Sequence, residues 1–253
     1  MFLANPPSVQ TLPQGGESVT EIMQHHVDAV LSQRRETGVP MFPHINHPNF
    51  YYGVSVQDIM DLHGERFFEV YNGHPLVHHY GDSLHPGTEA MWDQINMSYF
   101  KKEQPLLLGL ATDDSHNYHQ FGGAYSNAGR GWVMVLADSL TPRALIKALE
   151  AGDFYSSTGV TLKEINYKEN SLEISVQAET QIAYTIEFIS ATKEDSQSRV
   201  LKTVESNNAA FVLKENHLFV RTRVISSKIK TNPFQEGEFE SAWTQPVIYQ
   251  KRH

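Results

Sequence analysis

The chain has 253 residues, 40% of them hydrophobic and 19% charged, with a net charge of −9. That length holds one large domain or two medium ones with an ample core, and an acidic balance without a dense Lys/Arg patch excludes a nucleic-acid surface. Cysteine is absent, which excludes disulfides and thiolate metal sites, and no stretch approaches the roughly 20 apolar residues of a membrane span.

These features predict a soluble protein and leave its compartment open. The opening Met1 to Pro7 is too short, and too soon broken by proline, for a signal peptide, so any targeting signal is expected upstream of this chain.

In chain order, Ser18 caps a predicted helix running to about Arg35, with Glu21 three residues on as a capping-box partner. Pro40 to Phe42 reads as a short strand ending in a His44–Asn49 turn. Val56 to His63 reads as helix, Phe67 to Tyr71 as strand, Thr88 to Phe100 as helix, and Leu106 to Ala111 and Trp132 to Ala137 as strands. Thr141-Pro142 opens a helix that Gly152 stops. Strands alternating with helices predict parallel β/α units.

The remainder is rich in alternating β-type segments: Leu162 to Tyr167, Leu172 to Val176, Ala183 to Ile189, Ala210 to Leu213 and Leu218 to Ile225. Polar turns separate them, which predicts a small antiparallel β-sandwich. Trp243 reads as core and its neighbourhood as an edge strand, and His217 reads as surface. Histidine use follows the same division, since all 13 His except His217 and His253 precede residue 120. The expected domains are residues 1–162 and 163–253.

Chemistry gathers where predicted strands of the first part end. Asp114 and His116, an acid and an imidazole one residue apart after Leu106–Ala111, are either metal ligands or an N-cap and a buried histidine bonded to backbone. Their hard oxygen and borderline nitrogen suit Zn, Mn or Fe. His47, stiffened by Pro48, ends the first turn, and His44 beside it is a supporting histidine. Asn72 and His74 end the next strand as candidate substrate contacts, although Asn-Gly turn formation explains Asn72 equally well. Asp113 is a candidate for orienting a ligand histidine, and Tyr118 and His119 are placed at the pocket mouth. Glu69 either points inward or forms a buried ion pair. His78, His79 and His85 with Asp82 form either a second metal cluster or a solvated loop. Arg130, flanked by Gly129 and Gly131, is either an anion grip or an arginine tying down a loop.

The ordered series His47-Pro48-Asn49, Phe68-Glu69-Val70-Tyr71-Asn72-Gly73, Asp114-Ser115-His116 and Gly129-Arg130-Gly131-Trp132 resembles the PHP family of metal-dependent hydrolases, in its branch with a C-terminal β-domain. Gly152 to Gly159, Arg221 to Val224 and Ala242 to Pro246 extend the resemblance over essentially the whole chain. It implies the later half of a distorted (β/α)7 TIM-like barrel followed by a β-sandwich. It also implies phosphoester hydrolysis by metal-activated water, with His47, Asp114 and His116 as ligands of a divalent metal (Zn, Mn or Fe), partly occupied, and Arg130 stabilising developing charge. The family's opening His-x-His pair is missing, so the resemblance implies an N-terminally truncated member. A half-barrel exposes strand edges and predicts a homo-oligomer. The expected partner is a small phosphorylated substrate. The alternative is a catalytically inactive fragment that acts as a folded binding or oligomerising module.

Overall fold

Ser18 caps the first helix through its side chain, which accepts from the Glu21 amide. Helix α1 then runs Val19–Thr37 and stops at Gly38 in the left-handed conformation. The structure, a computed structural model, describes residues 15–251, so the Met1–Pro7 opening lies outside the described residues. Glu21 does not close a box on Ser18, because its carboxylate takes the Glu17 amide instead. The complete capping box belongs to Ser55 and Asp58, at the start of α2 (Val56–Met60). Pro40 to Phe42 is not a strand; the local pairing is a single parallel bridge between Ile45 and Phe68.

Strands β1 (Phe67–Asn72) and β2 (Leu108–Thr112) pair in parallel, with α3 (Thr88–Lys101) between them in sequence. Phe68, Val70, Trp92, Ile95 and Leu107 fill the core between helix and strands. The βαβ pattern goes no further. Strand exceeds helix, at about 32% against 20%, and the partial (β/α)7 barrel expected over residues 1–162 is not formed among the described residues. Strands β3 (Trp132–Val135) and β4 (Phe154–Ser157) flank helix α4 (Pro142–Ala151), yet they run antiparallel. A strand–helix–strand pattern fixes element types by local periodicity, whereas the sense of pairing depends on which sheet edge the returning strand meets.

That edge is supplied from far along the chain. Strands β7 (Tyr184–Thr192), β8 (Arg199–Glu205), β10 (His217–Ile229) and β11 (Phe239–Thr244) join β3 and β4 in one antiparallel sheet of order β3-β4-β11-β10-β7-β8. A second antiparallel sheet holds β5 (Leu162–Lys168), β6 (Ser171–Val176) and β9 (Asn208–Val212) in the order β5-β6-β9. Leu172 and Ile174 of the smaller sheet meet Ile186, Phe188, Val220 and Val224 of the larger one. Sandwich-like packing is therefore present, and its larger sheet draws strands from both sides of residue 162.

The outer face of that sheet carries the β1/β2/α3 unit. Trp243 is core as expected, but it packs with Tyr71, Phe68 and Trp92, its ring 5.8 Å from that of Tyr71. Its strand β11 lies inside the sheet between β4 and β10, not at an edge. His217 is buried at 7% exposure, with Nδ1 accepting from the Lys214 amide. Arg221 of β10 is fully enclosed, 5.0 Å from the Trp92 ring centroid and 2.6 Å from the Asp93 carboxylate. Gln245 extends a primary amide along β2, accepting from Gly109 N at 2.7 Å and donating to Gly109 O at 3.0 Å, as a neighbouring strand would. Among the described residues no helix is long and apolar enough to cross a membrane.

Candidate functional site

The C-terminal ends of β1 and β2 lie side by side because the two strands are parallel and, beyond an irregularity in register between Glu69 and Tyr71, place Asn72 opposite Thr112. Parallel pairing therefore brings the Asn72–His74 turn against the Asp113–His116 turn. The His44–Asn49 turn joins them through Glu69, a carboxylate buried inside β1.

Glu69 is the hub. Its Oε2 accepts from the His47 amide at 2.7 Å and from Asn72 Nδ2 at 2.9 Å, while Oε1 accepts from Thr112 Oγ1 at 3.1 Å and lies 3.4 Å from His44 Nε2. Burial pushes its pKa up, but the hydrogen bond and charge of His44, with Asn72 and the His47 amide, bring it below the ordinary carboxylate value. His44 is thus an ion-pair partner of Glu69, and Glu69 takes the second of its two expected roles.

Asn72 connects the hub to the rim. Its amide reaches Asp114 Oδ2 at 3.3 Å, and its own Oδ1 accepts from the His74 amide at 2.8 Å. Asp114 sits at φ 47° and His47 at φ 29°, in the left-handed region that non-glycine residues seldom occupy. The Asp114 carbonyl accepts from both Ser126 Oγ and His116 Nδ1, which pins the turn.

The hydrogen bonds assign two tautomers. His116 Nδ1 faces a carbonyl oxygen at 2.7 Å, so it carries the proton and leaves Nε2 as an acceptor in the neutral ring. His74 Nδ1 accepts from the Leu76 amide at 3.1 Å, so its Nε2 carries the proton. The two rings meet edge to face at 5.7 Å, with Asp114 Oδ1 3.8 Å from His116 Nδ1. Burial lowers the pKa of His74, the charge of Asp114 opposes that shift, and His116 and His47 reinforce it. The cluster thus presents one Nε2 acceptor and one Nε2 donor at the same rim, beside a carboxylate.

His47 stands apart in its bonding. Its Nε2 lies 2.8 Å from Asn46 Nδ2, and its ring meets that of Phe50 at 5.3 Å. Among the described residues no group of three or more histidine or acidic side chains is placed to hold a metal ion. The described residues therefore do not bring His47, Asp114 and His116 together as a three-ligand centre. Asp114 and His116 suit a cation chemically, but two ligands leave its coordination open.

Arg130 takes its loop-tying role. Nε donates to Asn232 O, Nη1 to Gly73 O and Tyr125 O, and Nη2 to Gly122 O, at 2.6–3.0 Å. With 1% exposure, the guanidinium has its donors directed at carbonyls and does not present a fork to solvent. The glycines serve this packing too. A Cβ on Gly73 would lie 2.6 Å from Arg130 Cβ, and one on Gly131 would lie 2.6 Å from Thr112 O.

Asp113 accepts from the Gly129 amide at 2.8 Å and so holds the Arg130 loop rather than a histidine ring. Tyr118 donates to Ser115 O at 2.9 Å with its ring exposed, and His119 is exposed beside it. His85 pairs with Asp82 at 2.9 Å and stacks on Tyr52, as a loop does, whereas His79 is buried against Thr88. Ser126 and Asn127, which latch the Asp114 and Asn117–Gln120 backbone, carry no motif that marks them in the sequence. Next to the rim, Met23, Val27 and Val30 of α1 face His44, His47 and Phe50 across a cleft of about 460 Å3.

No protein-family model matches the chain, and no curated protein or solved structure matches it either.

Proposed function

We propose that this chain acts on a small phosphorylated molecule at the rim formed by His74, Asp114 and His116. The observation that carries the reading is the pair of imidazoles with complementary Nε2 roles, fixed by backbone hydrogen bonds and 5.7 Å apart. His116 Nε2 accepts a proton from an attacking water. Asp114, held by Asn72, favours the imidazolium that results. His74 Nε2–H donates to a phosphoryl or leaving-group oxygen. The resemblance of the strand-end motifs to phosphoester-processing enzymes supports the choice of substrate class.

A second reading has its own support. The rim is open to water, with the His116 side chain 66% exposed, which suits a module that binds the phosphorylated ligand without turning it over. Both readings are tested by following histidine imidazole NMR resonances and phosphate release together, with p-nitrophenyl phosphate as probe, with and without added Mn or Zn. Shifts confined to His74 and His116 with release of phosphate support turnover. The same shifts without release support the binding module. Unchanged resonances overturn both.

A further inference from the structure

Successive residues of a strand point to opposite faces. Asn72 serves the rim, while Tyr71 turns the other way into a separate cleft of about 330 Å3, lined also by His79, Tyr80, Arg223, Lys230, Glu238 and Trp243. That volume lies within the range of small-molecule sites, and the rim uses none of these side chains.

The cleft encloses an amine. Lys230, with 5% of its side chain exposed, donates to the Tyr71 hydroxyl at 2.9 Å and lies 4.2 Å from the Tyr71 ring centroid. Its carboxylate partner Glu238, 3.5 Å away, also accepts from the Tyr80 hydroxyl at 2.5 Å. One acid is thus divided between an ammonium and a phenol. Burial acts most strongly on Lys230; the charges of Glu238 and Glu240 oppose it, Arg130 reinforces it, and the amine is brought down to about 8. Burial pushes the Tyr71 phenol above its ordinary value, so it keeps its proton.

We propose that Lys230 is a nucleophilic amine that condenses with a small aldehyde or ketone entering this cleft. The ammonium first gives a proton to Glu238 or to solvent. The Nζ lone pair then forms the C–N bond as the carbonyl π pair moves to oxygen, and one N–H proton passes through the Tyr71 hydroxyl to that oxygen, giving the carbinolamine hydroxyl. The Tyr71 hydroxyl gives its proton to that hydroxyl as it departs as water and regains one from nitrogen. The two N–H protons of the neutral amine thus end in the released water, and an imine remains.

The test uses the full chain with butyraldehyde and sodium cyanoborohydride at pH 7.5, followed by peptide mass mapping against time. Lys230 is expected to be alkylated at least tenfold faster than the exposed Lys163 and Lys193, because burial brings its amine down to about 8 and the cleft sets it beside the Tyr71 hydroxyl. Unfolding in urea should erase the difference. A Tyr71→Phe protein with unchanged circular dichroism should be modified at Lys230 about fivefold more slowly. Modification of Lys230 at or below the rate of Lys163 and Lys193 would overturn the proposal.

Discussion

The molecule holds two charged clusters, and they are built on opposite plans. At the β10 side, Arg221 meets Asp93 at 2.6 Å and Glu89 at 2.9 Å, and Arg223 meets Glu89 at 2.9 Å and Glu187 at 2.8 Å. Every member has an opposite charge in contact. Burial works against Glu89, but Arg221 and then Arg223 overcome it and hold its pKa down to about 2. At the ends of β1 and β2, the chain of contacts from His44 through Glu69 and Asn72 to Asp114 does not close. It ends at His116, whose side chain is 66% exposed. A closed network fastens a helix to a sheet, whereas an open one delivers oriented polar atoms to solvent, where a ligand can use them.

Breaking the closed network should have the largest effect on stability. Arg221→Ala leaves Asp93 buried without its counter-charge and is expected to cost about 3–5 kcal/mol in urea unfolding. A loss below about 1 kcal/mol would show that the α3–β10 contact is held by packing alone. Arg130→Ala is next, at about 3 kcal/mol, since it strands the carbonyls of Gly73, Gly122, Tyr125 and Asn232. If that variant kept wild-type stability but lost phosphate binding, the anion-grip role would be restored.

Acid should find the closed side through His79. Its ring is buried against Thr88, and burial lowers its pKa from 6.5 to about 4. Above pH 6.5 the ring is neutral folded or unfolded, so it contributes no pH dependence. As pH falls from 6.5 to about 4, only the unfolded chain takes up the proton, and stability drops by about 3 kcal/mol. Equilibrium unfolding across that window should be steeper for wild type than for His79→Gln. Equal slopes would rule out His79 as the source.

On the open side the stability effects shrink while the functional ones grow. Glu69→Gln should cost about 1–2 kcal/mol by weakening the charge-assisted bonds to His44 and the His47 amide. It should also blur the His116 resonance by loosening Asn72 and Asp114. Smallest of all, His116→Gln should change stability by less than about 0.5 kcal/mol, yet remove the rim acceptor and with it any turnover of p-nitrophenyl phosphate. Turnover that survives His116→Gln would separate the rim from the chemistry.

Much of the local structure was legible in order. Ser18 before α1, and Thr141-Pro142 with Gly152 around α4, announce their helices through side-chain capping and backbone conformations that depend on a few neighbouring residues. Alternation marks β6 and β7 because every second side chain faces the core between the sheets. Strand β8 escaped notice because it lies at a sheet edge with charged and mostly exposed residues, and β4 because it is buried on both faces and shows no alternation.

What the sequence determined by itself was most of the elements, the net negative charge, and the strand-end turns that carry Asn72, His74, Asp114 and His116. Tertiary structure alone decided the rest. It made β3 and β4 antiparallel by offering them an edge at β11, and it turned Arg130 inward by surrounding it with carbonyls from residues 73, 122, 125 and 232. It also placed Lys230 against Tyr71, 159 residues away. The physical reason is range: capping and periodicity act over a few residues, whereas pairing sense, desolvation and the partner of a buried charge depend on groups that only the folded chain brings together.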